Sequence, residues 1–297
     1  MTDRKKTKNT PRASALQENP GKGYIDAHVH VWTSDTKRYP LAPGFRREQM
    51  RPPDFPPEEL LAHARPCGVT RIVLIQMSYY GYDNSYMLDT MRQFPGVFSG
   101  VAVIDEAARP REVMRRLRKQ GVRGFRISPM GKAVDRWLDS PGMEAMWRCG
   151  GDENLSMCGL IDPDAIPGIA RMCERFPSTP VVIDHIARIM VGNPNREEEL
   201  RQLCHLARHK NVSVKVSAFY ALSKDQPSYL DLGPAIRRLL DAYGPERLMW
   251  ATDCPFQVQG GHTYSGSLAL IRDRLDFLSA GDREWLLEKT AQRVFFW

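Results

Sequence analysis

Eight short β-rich runs alternating with amphipathic stretches constrain this chain more than any other feature. The runs are Tyr24–Val31, Thr70–Gln76, Val97–Ile104, Val122–Ile127, Met157–Ile161, Val181–His185, Val212–Ser217 and Leu248–Thr252. Many are nearly continuous in Val, Ile and Leu, the pattern of strands covered on both faces in a parallel sheet. Between them, Pro57–Ala64, Ser85–Phe94, Arg109–Lys119, Ala165–Arg175, Glu197–Arg208 and Gly233–Tyr243 place apolar residues three and four apart, as helices with one buried face do. Eight strand runs alternating with helical segments over 297 residues predict an α/β fold, a single-domain (β/α)8 TIM barrel that tolerates some distortion. An open doubly wound sheet ranks second, because no glycine-rich phosphate-binding turn follows the first run.

Charge is unevenly distributed. The formal net charge is +7, and residues 1–22 hold Arg4, Lys5, Lys6, Lys8, Arg12 and Lys22 against Asp3 and Glu18, or +4, which leaves +3 for residues 23–297. This leader has no interleaved aromatics, so it reads as a disordered basic segment preceding the barrel domain at 23–297, and no nucleic-acid partner is expected. It lacks the apolar stretch of a secretory signal, and no run approaches the roughly 20 apolar residues of a membrane span. The six cysteines form no Cys-x-x-Cys pair, which fits reduced thiols and a cytoplasmic location.

In a barrel of this kind the chemistry gathers at the carboxyl ends of the strands. The first run ends in His28 and His30, an i, i+2 pair that a strand presents on one face. The second ends in Gln76, followed by Ser78 and Tyr79. Arg126 closes the fourth, Asp184 and His185 the sixth, Lys215 and Ser217 the seventh, and Asp253 follows the eighth. A long irregular stretch, Trp32–Arg51, is expected to sit over the end of the first strand. The terminal Val294-Phe295-Phe296-Trp297 suits either closure of the barrel base or a contact within a homo-oligomer.

Three segments, Ile25-Asp26-Ala27-His28-Val29-His30, Val182-Ile183-Asp184-His185 and Trp250-Ala251-Thr252-Asp253-Cys254-Pro255, resemble the amidohydrolase superfamily, in particular its amidohydrolase-2 branch of sugar and pyrone-dicarboxylate lactonases and related decarboxylases. The segments Gln76–Asn84 and Val122–Arg126 resemble the lactonases. The resemblance implies a site of His28, His30, His185 and Asp253. It also implies one divalent metal, zinc favoured, held by these four, or a metal-free centre in which the imidazoles polarise a carbonyl directly. Arg126 replaces the Lys or Glu, and the fifth run lacks the His, that hold a second metal in many members, so a binuclear centre is not expected.

The expected activity is hydrolysis of a lactone or related cyclic ester. Asp253 is the general base, and Arg126, Lys215, Ser78 and Tyr79 contact an anionic or polyhydroxylated small-molecule substrate. A zinc-dependent non-oxidative decarboxylase is the alternative, and a barrel that only binds its ligand is a remote third.

Overall fold

The computed structural model describes residues 23–129, 133 and 136–297, so the basic leader lies outside the described residues. All eight runs form strands: β1 (Tyr24–Val29), β2 (Val69–Ile75), β3 (Phe98–Ala102), β4 (Val122–Ile127), β5 (Ser156–Gly159), β6 (Val181–Ile183), β7 (Val212–Val216) and β8 (Leu248–Trp250). They form one sheet in sequence order with every paired neighbour parallel. Helices α1 (Pro57–Ala64), α2 (Ser85–Gln93), α3 (Pro110–Arg118), α4 (Pro141–Glu153), α5 (Ile166–Arg175), α6 (Arg196–His205), the short α7 (Phe219–Leu222) and α8 (Gly233–Tyr243) alternate with the strands. After β8 come α9 (Tyr264–Ala269), α10 (Ala280–Glu284) and α11 (Thr290–Phe295). Proline occupies the first turn of α1, α3, α4, α5 and α8, where its fixed φ suits a helix and its missing N–H is not needed.

Two apolar layers hold the barrel. Val73, Val101, Cys158, Val182 and Met249 fill its interior, joined by Phe295 of α11. Leu74, Phe125, Trp147, Ile169 and Leu239 belong to the larger layer between strands and helices. Phe295 therefore closes the base, and the Trp297 ring lies beside the Arg118 and Arg123 guanidinium groups at 5.2 and 4.5 Å. No described helix is long and apolar enough to cross a membrane.

The seam between β1 and β8 is made differently from the other seven. Beyond the end of β8, Asp253 donates its backbone N–H to the His28 carbonyl (2.9 Å), and His30 donates its own to the Cys254 carbonyl (2.8 Å). Below them the fully buried Asp26 accepts from the Thr252 N–H (3.0 Å), the Thr252 hydroxyl (2.5 Å), the Tyr264 hydroxyl (2.7 Å) and the His28 N–H (3.1 Å). Burial raises its carboxyl to about 6, against the pull of these four donors. Asp26 thus ties β1 to the end of β8 and to α9. Tyr264→Phe, which removes one donor from this carboxylate, is expected to destabilise the fold by about 1–3 kcal/mol in urea unfolding.

Most strands stop short of the expected carboxyl-terminal boundary, and the site residues explain several of the early stops. His185, Ala218 and Asp253 have φ of 53, 56 and 66°, in the left-handed region that ends a ladder. β1 ends at Val29 rather than Val31 and contains a bulge: Asp26 pairs with Ile72 and Val29 with Leu74, so β1 spends one more residue than β2. That extra residue reverses the alternation of faces. Asp26 can therefore face the β8 seam while His28 and His30 turn into the barrel mouth.

Candidate active site

The four expected residues converge. His28 Nε2 lies 3.3 Å from His30 Nε2 and 3.5 Å from Asp253 Oδ1, and His30 Nε2 lies 3.3 Å from the same oxygen. His185 Nε2 is 3.9 Å from Asp253 Oδ2. Each is held from behind. His30 Nδ1 bonds the Ile75 carbonyl at 2.9 Å, which makes Nδ1 the protonated nitrogen and turns the Nε2 lone pair toward the site. His185 Nδ1 meets the Ser217 hydroxyl at 2.9 Å, and the Tyr220 hydroxyl donates to Asp253 Oδ2 at 2.7 Å.

His28 stands at the centre of a charged cluster. Arg126 Nη2 lies 2.8 Å from its Nε2, while Lys215 Nζ and Asp184 Oδ1 are 3.3 and 3.4 Å from its Nδ1. Lys215 and Asp184, both fully buried, pair at 3.0 Å, and Arg126 adds a second cation 3.4 Å from Asp184. Burial, reinforced by the Lys215 charge, holds the His28 imidazole well below its ordinary pKa. Burial would raise the Asp184 carboxyl, but Lys215, His28 and Arg126 outweigh it and hold the group well below the usual carboxylate range. Burial lowers His185 as well. At Asp253, burial is opposed by His185, His30 and His28, which keep the acid below its usual range and hence ionised.

A cavity of about 540 Å³ opens above this cluster, lined by His30, Ser78, Arg126, His185, Tyr220 and Asp253 among others. The expected contacts do not all reach it. Ser78 lies on its wall, as does Arg126. Lys215 is fully buried beneath His28, beside the Phe295 ring at 5.4 Å, so it acts on the site from below rather than on a bound substrate. The Tyr79 hydroxyl donates to the Gln49 carbonyl (3.2 Å), and its ring packs edge-on against Trp32 and Phe45, which makes it a brace for the loop after β1. Gln76 is also structural: its amide donates to the Gly81 and Asp83 carbonyls and pins the loop carrying Ser78. Arg188, from a left-handed run His185–Arg188, reaches the cavity rim and pairs with Asp162 at 2.7 Å.

The spacing of this donor set suits one divalent ion. His28, His185 and Asp253 each offer a ligand atom, all within 4.8 Å of one another. Asp253 Oδ1 is buried without a hydrogen-bond partner. Zinc bonded at roughly 2.0–2.1 Å in a tetrahedron separates its ligand atoms by about 3.3 Å, close to the His28, His30 and Asp253 spacings. The fit has one condition: Arg126 must leave His28 Nε2, because a nitrogen has a single in-plane lone pair to give.

A (β/α)8 barrel with imidazoles and one carboxylate gathered at the carboxyl ends of its strands defines a class of hydrolytic and lytic enzymes. The chain belongs to the amidohydrolase family, whose pattern it matches over residues 25–297. It is 28% identical over 240 residues to the L-fucono-1,5-lactonase of Burkholderia ambifaria, covering 80% of this chain and 82% of that protein. It is 30% identical over 244 residues to the 2-pyrone-4,6-dicarboxylate hydrolase of Comamonas testosteroni, covering 78% and 77%. Among solved structures, a Pseudomonas putida protein assigned as a 2-pyrone-4,6-dicarboxylic acid hydrolase superposes with a TM-score of 0.77 at 26% identity, over 92% of this chain and 97% of that one.

Proposed function

We propose that this protein hydrolyses the ester bond of a lactone that carries a carboxylate and few hydroxyl groups. The observation that carries the reading is Asp253: an ionised carboxylate on the cavity wall with one oxygen fixed by Tyr220 and the other lacking a donor, facing imidazoles and a guanidinium. The lactone-acting relatives at 28 and 30% identity support it.

A water donating to the Asp253 carboxylate at the cavity wall is aligned by it, and the carboxylate takes its proton as the oxygen attacks the lactone carbonyl. Charge developing on the carbonyl oxygen meets the Arg126 guanidinium in a site largely shielded from solvent, where such a contact acts strongly. The ring C–O bond then breaks, and Asp253 returns the proton to the departing oxygen. The product is a hydroxy acid, and the base ends as it began. Were Arg126 withdrawn from His28 Nε2, His28, His30, His185 and Asp253 would hold one divalent ion, zinc being favoured by the mixed nitrogen and oxygen donors, and it would supply further polarisation of water and carbonyl.

The cavity lining speaks to the substrate. Met77, Leu160, Met190, Leu222 and Phe256 give it apolar walls. Asp162 already pairs with Arg188, and the Tyr220 hydroxyl is given to Asp253, so few acceptors remain for sugar hydroxyls. Arg188 is the natural anchor for a substrate carboxylate, since its pairing with Asp162 is half-exposed and exchanges at little cost. Arg188→Gln is expected to raise KM for a carboxylated lactone by about 10–100-fold with a smaller change in kcat, and to leave a neutral lactone unaffected. Steady-state kinetics on matched carboxylated and neutral lactones measures this, and equal effects on both would remove the anchor. The substrate is the expected partner, and six free cysteines suit a reducing, cytoplasmic setting.

A further inference from the structure

The same guanidinium that faces the substrate also stands where a metal would need to bind. We infer that Arg126 keeps divalent ions out of the His28, His30, His185 and Asp253 cluster, so that the side chain at this position sets whether the site is a metal centre.

Two independent observations carry this. The first is steric: Arg126 Nη2 sits 2.8 Å from His28 Nε2. That nitrogen is the one His28 turns toward His30 and Asp253, since its Nδ1 is engaged with Lys215 and Asp184. An ion and the guanidinium therefore compete for one lone pair. The second is charge. Arg126 and Lys215 both pair with Asp184, and Asp253 lies on the other side of His28, so the cluster holds two cations and two carboxylates, with Lys215, Asp184 and Asp253 at least nine-tenths buried. A divalent ion would leave the cluster with two uncompensated positive charges, placed within a few ångströms of two fixed cations in a poorly screened site. Lys215 cannot withdraw, being wholly enclosed, but Arg126 sits on the cavity wall and is the cation that evolution or substitution can remove. Replacing it by an uncharged side chain frees the ligand nitrogen and lowers the positive charge in one step.

The inference does not depend on which ester the enzyme opens, and its test reads metal rather than turnover. The full chain is stripped with chelator, incubated with zinc, desalted and analysed for bound metal, with zinc titration calorimetry and thermal unfolding beside it. The wild type is expected to retain substoichiometric zinc and to show no zinc-dependent rise in Tm. Arg126→Met and Arg126→Gln are expected to bind about one zinc per chain, at least about 100-fold more tightly than wild type, with a Tm that climbs with zinc concentration. Arg126→Lys, which keeps the charge, should stay closer to wild type. The gain should vanish when His28→Asn is added to Arg126→Met, which separates this site from adventitious binding at surface thiols and imidazoles. A wild-type protein holding one zinc that only chelator removes would overturn the inference, as would folded Met and Gln variants that bind zinc no better than wild type.

Discussion

Asp253→Asn is expected to lower kcat for lactone opening by about 10²–10⁴-fold while KM changes little. The amide keeps the size of the side chain and can still meet Tyr220, so the cavity survives. What is lost is the proton acceptor. In the wild type burial would disfavour the charge, yet the three surrounding imidazoles hold Asp253 ionised, and the 2.7 Å bond from Tyr220 engages Oδ2 while Oδ1 has no hydrogen-bond donor. Turnover is followed by proton release in weakly buffered solution, with substrate binding measured separately by calorimetry. A variant that binds and turns over normally would mean that Asp253 is not the base.

Asp184→Asn is expected to destabilise the protein by about 3–5 kcal/mol, because it strands Lys215 in the interior without its carboxylate. Both side chains are fully buried and 3.0 Å apart, and Lys215 otherwise lies against the His28 imidazole and the Phe295 ring, neither of which carries a compensating negative charge. The double variant Asp184→Leu with Lys215→Met removes both charges together and is expected to regain most of that stability. It should still turn over slowly, since His28 then has nothing to orient its Nδ1 and Arg126 loses its carboxylate. Urea unfolding of the two variants beside wild type, with kinetics on the folded double variant, measures both effects. Asp184→Asn unfolding at the wild-type midpoint would mean that water reaches Lys215.

The barrel was legible in the sequence because parallel strands buried on both faces are written as largely apolar runs, and most of the eight lie where Val, Ile and Leu cluster, β5 (Ser156–Gly159) being the exception that has none of them. The site was legible for the same reason, since polar residues that terminate such runs stand out. What could not be read was depth and backbone bending. Lys215 and Ser217 share a strand face, which correctly points Lys215 inward, but nothing in the pattern says that it lies one layer beneath the mouth and serves His28 instead of the substrate. The bulge that turns His28 inward leaves no mark in Ile25-Asp26-Ala27-His28-Val29-His30. Nor does it show that Asp26, two residues before a site histidine, ties the barrel seam through Thr252 and Tyr264. Tyr79 looked like a substrate donor because it follows Gln76 at a strand end, and only the fold shows its hydroxyl turned to the Gln49 carbonyl.

The central claim is that Asp253 delivers water to a lactone carbonyl at this barrel mouth. The most direct test is incubation of purified protein with carboxylated lactones in ¹⁸O-labelled water, with mass spectrometry of the product and trapping of evolved carbon dioxide. The account predicts a ring-opened hydroxy acid carrying one labelled oxygen in the newly formed carboxylate, no carbon dioxide, and loss of the reaction in Asp253→Asn. Intact lactones, together with carbon dioxide released from aromatic or enoic acids, would contradict it and assign the site to decarboxylation.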